Sequence, residues 1–130
     1  MVAHPDITVL YVDDEKDNLF VFNANFNRTF EVITSISPSL ALEELEAHHN
    51  EIIVVISDMR MPEMNGVQFI RKAKEMYDDI FYYILTGYGY NPEIEEALSD
   101  QIIEKSFSKP FDVNEIESAI LEAVSGSRNN

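Results

Sequence analysis

The sequence predicts a single α/β domain built on a parallel sheet with helices packed on both faces. Three observations predict it. Segments rich in β-branched and aromatic residues alternate with segments of helical apolar spacing, five of each. Several of the β-type segments are nearly continuous apolar runs, as strands covered on both faces should be. The chain has 130 residues, 45% hydrophobic and 25% charged, which suits one globular domain and excludes a disordered one.

The elements follow in order. Ile7–Val12 (ITVLYV) is the first strand. Glu15–Arg28 is helical, with Leu19, Phe22 and Phe26 on one face. Glu31–Ile36 (EVITSI) returns to a strand. Ser37 caps a helix that has Pro38 at its first position and runs to about His48. Ile52–Ser57 (IIVVIS) is the third strand. The loop Met59–Asn65 carries Pro62 and ends at Gly66. Val67–Tyr77 is the third helix, with Val67, Ile70 and Ala73 on one side. Ile80–Leu85 (IFYYIL) is the fourth strand, followed by the loop Gly87–Tyr90. Asn91 and Pro92 are cap and first position of a short helix through Leu98. Lys105–Ser108 is a short fifth strand. Asp112 and Glu115 predict a capping box for a last helix that buries Val113, Ile116, Ile120 and Val124. The domain is expected to span residues 1–124, with 125–130 a tail or the start of a linker.

The second and fifth strands carry more polar residues and belong at the edges. The order 2-1-3-4-5 places them there. It is the flavodoxin-like, doubly wound order, with right-handed crossovers. Ligands of such sheets bind beyond the carboxyl ends of the strands, at the switch point between strands 1 and 3.

Composition removes several functions. There is no cysteine, which excludes a disulfide framework, a thiolate metal site and a cysteine nucleophile, and fits a cytoplasmic setting. Asp and Glu number 24 and Lys and Arg 9, a net charge of −15. Nucleic acid and anionic membrane surfaces are therefore not expected partners of this domain. No apolar run reaches membrane-spanning length, and residues 1–6 lack the features of a signal peptide.

Chemistry is expected at the strand ends. Strand 1 ends in Asp13-Asp14-Glu15, strand 3 in Asp58, strand 4 in Thr86-Gly87 and strand 5 in Lys109-Pro110. Crowded carboxylates repel unless a cation intervenes. Hard oxygen ligands select Mg²⁺, which keeps several waters and accepts a phosphate oxygen. An Asp beside Mg²⁺ is a nucleophile toward phosphorus. Lys109 can neutralise the phosphoryl oxygens and Thr86 can hydrogen-bond them. Each piece alone has a plainer reading. The Asp pair can be a helix cap, Asp58 a turn residue, and Lys109 a solvated lysine before a turn. The conjunction of four strand ends favours the chemical reading.

The motifs VLYVDDE (9–15), SDMRMPEMNG (57–66), ILTGYG (84–89) and SKPF (108–111) are similar to those of response-regulator receiver domains of two-component signalling. The resemblance covers about residues 7–124. It implies a phospho-accepting switch rather than an enzyme in the metabolic sense, with self-phosphorylation and self-dephosphorylation chemistry. Asp58 would accept the phosphoryl group. Asp14, Asp58 and the backbone carbonyl of Arg60 would ligate Mg²⁺, with Mn²⁺ as the alternative ion, and Asp13 would act through water. Lys109 would pair with the phosphoryl group, Thr86 would move to meet it, and Gly87 would keep space beside it. Pro110 would hold its turn, often through a cis bond in this family. The implied partners are a sensor histidine kinase or histidine phosphotransfer protein upstream and an effector domain or protein downstream. The implied response is a change at the face of helix 4, strand 5 and helix 5, where such domains also dimerise on phosphorylation.

One position departs from the family pattern. The usual switch aromatic lies three residues before the lysine, and here that residue is Ser106. Phe107 should point to the opposite face, into the core. Tyr88 and Tyr90 are candidates to replace the readout, against the plainer reading that they pack on the fourth helix. Arg60 and Tyr88 flank the pocket and are bulky enough to restrict an attacking water. The alternative function is a pseudo-receiver that binds proteins without phosphorylation. A haloacid-dehalogenase-type phosphatase would want a second Asp where Arg60 stands, and a flavodoxin would not place Asp13-Asp14-Glu15 against its phosphate. His4, His48 and His49 do not form a ligand set, and Glu43, Glu44 and Glu46 read as a solvated helix face.

Overall fold

Strand β1 (Thr8–Val12) shows the alternation that organises the molecule. Leu10 and Val12 enter one apolar layer, and Val9 and Tyr11 enter the other. The computed structural model describes residues 3–87, 89 and 91–128. Around β1 stand β2 (Glu31–Ser35), β3 (Ile52–Asp58), β4 (Phe81–Thr86) and β5 (Lys105–Ser108). All neighbours pair in parallel, in the order β2-β1-β3-β4-β5. The polar strands β2 and β5 take the edges, as their sequences predict.

Helices α1 (Lys16–Phe26) and α5 (Val113–Arg128) cover one face. There Phe22, Phe26, Ile116 and Ile120 pack against Val54, Ile56, Tyr83 and Leu85. Helices α2 (Pro38–His48), α3 (Gly66–Met76) and α4 (Pro92–Ser99) cover the other face. There Ala41, Leu45, Val67, Ile70, Ala73 and Ala97 meet Leu10, Val55, Tyr82 and Ile84. Both layers are closed, which explains the continuous apolar runs of the central strands.

Helix boundaries follow their caps. Ser37 accepts a hydrogen bond from the Leu40 N–H at 3.1 Å, ahead of Pro38. Asn91 accepts from Glu93 and Ile94 N–H groups at 2.8 and 3.2 Å. Asp112 accepts from Asn114 and Glu115 N–H groups at 2.9 and 3.2 Å. Helix α3 starts one residue earlier than its apolar spacing predicts. Asn65 and Gln68 form a reciprocal capping box there, with both bonds at 2.8 Å.

Three expectations change. Helix α1 is shorter than predicted at both ends. Val113 is only partly buried, because it stands in the first turn of α5, ahead of the packed stretch. Helix α5 continues through Arg128, so residues 125–128 are helical rather than an irregular tail. No proline interrupts that stretch, and an established helix adds residues more readily than it starts. At the start of α1 the Asp13 carboxylate accepts from the Glu15 N–H.

Gly66 ties α3 to the end of β3. Its N–H donates to the Met59 carbonyl at 2.8 Å. A Cβ there would collide with the Asp58 carbonyl oxygen and lie 2.7 Å from Ile84 Cδ1. The constraint is steric, since no glycine of the described residues has a positive φ. Gly66→Ala must push a backbone carbonyl aside. Its expected cost is about 3 kcal/mol, the upper end of overpacking effects, or a fall of roughly 10 °C in melting temperature by calorimetry. An unchanged melting temperature would show that this contact relaxes freely.

Candidate functional site

The carboxyl ends of β1, β3, β4 and β5 open on one edge of the sheet. Asp13 and Asp14 follow β1, Asp58 ends β3, Thr86 ends β4, and Lys109 follows β5. One carboxylate oxygen from each of Asp13, Asp14 and Asp58 lies within 4.8 Å of the others. Asp14, Glu15, Asn18, Asp58, Arg60, Gly87 and Lys109 line the cleft above them. Asp13 is fully buried, Asp58 and Thr86 nearly so, and Asp14 is half-exposed.

Lys109 reaches back over the carboxylates. Its Nζ lies 3.2 Å from Asp13 Oδ2 and 3.2 Å from Asp58 Oδ1. The backbone places it there, because the Lys109 N–H donates to the Thr86 carbonyl at 2.9 Å. The Lys109–Pro110 peptide is cis. Asp58 Oδ1 also accepts from the Met59 N–H at 2.9 Å. The Ser57 hydroxyl donates to the Asp58 carbonyl at 2.9 Å. Both ends of the Asp58 residue are thereby held.

Asp13 is held by four donors. Tyr11 OH, Asn18 Nδ2 and Lys109 Nζ reach its Oδ2 at 2.7, 3.1 and 3.2 Å. The Glu15 N–H reaches Oδ1 at 2.9 Å. The sequence analysis did not single out Tyr11 or Asn18. The signal for Tyr11 was present: residues two apart on a strand share a face, so a hydroxyl at 11 stands beside a carboxylate at 13.

Burial raises the Asp58 carboxyl above its ordinary range, and the neighbouring Asp13 raises it further. Lys109 and the Met59 N–H pull it back without cancelling the rise. For Lys109, burial pulls the ammonium down, but the charges of Asp13 and Asp58 outweigh it and leave it raised. The donor set suits a hard divalent cation: three carboxylates, one half-exposed, at a cleft lined by further polar groups.

The remaining candidates are placed as follows. Arg60 is exposed and lines the cleft two residues past Asp58. Among the described residues, a methyl on Gly87 would meet only the Lys109 stem, at an ordinary 3.8 Å. Ser106 is exposed and pairs with Ile84, on the face covered by α2, α3 and α4. Phe107 is buried on the opposite face and stacks on Tyr83 with centroids 5.5 Å apart. Tyr88 and Tyr90 lie outside the described residues. The histidines stay apart: His4 lies near Phe30, His48 between Glu44 and Glu51, and His49 against Tyr77. No helix of the described residues is long and apolar enough to cross a membrane.

Comparison with known proteins agrees with this geometry. The family described as response regulator receiver domain matches residues 9–121. Sporulation initiation phosphotransferase F of Bacillus subtilis is 26% identical over 113 residues, covering 86% of this chain and 89% of that protein. The hydrogenase transcriptional regulatory protein HoxA of Bradyrhizobium diazoefficiens is 29% identical over 118 residues, 90% of this chain. The chain spans only 24% of that regulator's length. Among solved structures, a response regulator receiver domain protein from Clostridium thermocellum superposes with a TM-score of 0.84 at 26% identity. That match covers 94% of this chain and 97% of the other.

A carboxyl whose folded pKa is raised holds its proton more tightly in the native state than in the unfolded one. The stability this confers is present at low pH and is lost as pH rises through the ordinary carboxylate range to the raised value. At neutral pH the charge on Asp58 therefore destabilises the metal-free protein. Asp58→Asn is expected to raise its melting temperature in calorimetry at pH 7. A fall would mean that pairing with Lys109 outweighs burial and repulsion.

Proposed function

The chain belongs to the response-regulator receiver family, and from that premise we propose that it is a phospho-accepting switch with Asp58 as its acceptor. The observation that carries this reading is the shared ammonium. Lys109 stands 3.2 Å from both Asp13 and Asp58, in a cleft where three carboxylates converge.

Asp14, Asp58 and the Arg60 carbonyl would hold Mg²⁺ (or Mn²⁺), with Asp13 acting through water. The saturation of Asp13 by four donors supports that indirect role. The ion supplies charge neutralisation for the incoming phosphoryl oxygens. An Asp58 oxygen attacks the phosphorus of a phosphohistidine on a sensor kinase or phosphotransfer protein. The O–P bond forms as the P–N bond breaks, and the imidazole leaves with the electron pair and takes a proton. Lys109, 3.2 Å from Asp58 Oδ1, would neutralise charge on the phosphoryl oxygens. Thr86, nearly buried at the end of β4, turns its hydroxyl to the phosphoryl group. Hydrolysis reverses the bond: water attacks phosphorus, inorganic phosphate forms, and the Asp58 carboxylate returns.

The response belongs to the α4, β5 and α5 face, which would meet an effector domain or protein or a second copy of the chain. With Ser106 exposed there and no aromatic at that position, threonine movement cannot be relayed by the usual ring. Residues 1–124 would be the receiver unit, and the end of α5 would lead to whatever follows.

Intact mass after incubation with Mg²⁺ and a small-molecule phosphodonor tests the reading. One added phosphoryl group is expected in the wild type, and none in Asp58→Asn or with the metal chelated. No addition to the folded wild type would favour a pseudo-receiver that acts only by protein binding. Arg60 beside the cleft, and Tyr88 by its sequence position, should slow hydrolysis by restricting water. Arg60→Ala with Tyr88→Ala is expected to shorten the phosphoryl half-life severalfold. An unchanged half-life would remove both residues from that role.

A further inference from the structure

Tyr11 lies buried beside the acidic site, and no step of the proposed chemistry uses it. Its hydroxyl donates to Asp13 Oδ2 at 2.7 Å, the shortest of the four bonds to that carboxylate. The ring is 1% exposed and stacks on Phe22 with centroids 4.2 Å apart and planes 12° apart. Phe22 in turn packs on Phe26 and Phe111. The hydroxyl position is therefore set by the apolar layer under α1 and α5, not by solvent.

We propose that Tyr11 is a positioning residue that fixes the Asp13 carboxylate for outer-sphere contact with the cation and limits its claim on Lys109. The inference rests on the reading of the site as a Mg²⁺-dependent phospho-acceptor. Asp13 is a fully buried carboxylate, so each of its lone pairs needs a donor. Asn18 and Lys109 approach the same oxygen as Tyr11 at longer range. Lys109 is already shared equally between Asp13 and Asp58. Without the tyrosine hydroxyl, Asp13 loses its shortest bond and draws the ammonium toward itself. The carboxylate is then freer to turn, and Lys109 is less available to Asp58. Groups that orient metal-site residues from behind are worth about 10–100-fold in metal affinity or activity.

Tyr11→Phe isolates the hydroxyl, because the ring and its stack on Phe22 remain. Mg²⁺ affinity of the whole chain is measured by calorimetry, and phosphorylation by intact mass at saturating Mg²⁺. The variant is expected to bind Mg²⁺ about tenfold more weakly and to accept phosphoryl more slowly. A merely structural role would move melting temperature instead, and a Leu45→Ala control in the opposite apolar layer provides that comparison. In an Asp13→Asn background, Tyr11→Phe should add nothing further to the loss of Mg²⁺ affinity, because its effect passes through Asp13. Wild-type Mg²⁺ affinity and rate in Tyr11→Phe, or a fully additive loss in the double variant, would overturn the inference. A wild type that neither binds Mg²⁺ nor takes up phosphoryl would instead overturn the reading beneath it.

Discussion

Repulsion among three carboxylates is the constraint on which the site depends. The parallel sheet brings Asp13, Asp14 and Asp58 to one edge, with an oxygen of each within 4.8 Å of the others. Burial of Asp13 and Asp58 removes water that would screen them. The fold answers with one ammonium, Lys109, placed between two of the three. One positive charge against three negative ones leaves a deficit. On the proposed reading, that deficit is what would draw a divalent cation into the cleft and, with it, a phosphoryl group.

Backbone contacts help to set the positions of these charges. The Lys109 N–H to Thr86 carbonyl bond joins the ends of β4 and β5. Gly66 lets the start of α3 press on the Asp58 carbonyl. Asn65 caps α3 and donates through Nδ2 to Glu93 Oε1 at 2.8 Å. That bond ties the loop after Asp58 to the first turn of α4. With Ser106 in place of an aromatic, this polar tie is one physical connection between that loop and α4 among the described residues.

The two faces of the sheet carry different loads. The face under α2, α3 and α4 is packed mainly with aliphatic side chains. The face under α1 and α5 is aromatic, with Tyr11, Phe22, Phe26, Tyr83 and Phe107. The aromatic face ends in a hydroxyl donated to Asp13. The charge arrangement at the sheet edge is thus anchored from one apolar layer, while the exposed Ser106 belongs to the other side.

Much of this was legible in the chain itself. Strand and helix periodicity, Pro38 and Pro92 at helix starts, and polar strands at the edges follow from local physics that sequence records directly. So do the acidic, hydroxyl and ammonium residues at the strand ends, once the strand order is known. Helix ends were less legible, because caps such as Asn65 with Gln68 act through a few atoms and leave little periodic signal. The extension of α5 through Arg128 is of the same kind, since propagation needs no apolar residue. What only the tertiary structure decided is who shares which oxygen. Lys109 divides itself between Asp13 and Asp58 across 96 residues of chain, and Tyr11 reaches Asp13 because Phe22 holds its ring. Hydrogen bonds depend on tenths of an ångström in three dimensions. Residue types along a chain set which groups are available, but the distances between them are settled only when the layers pack.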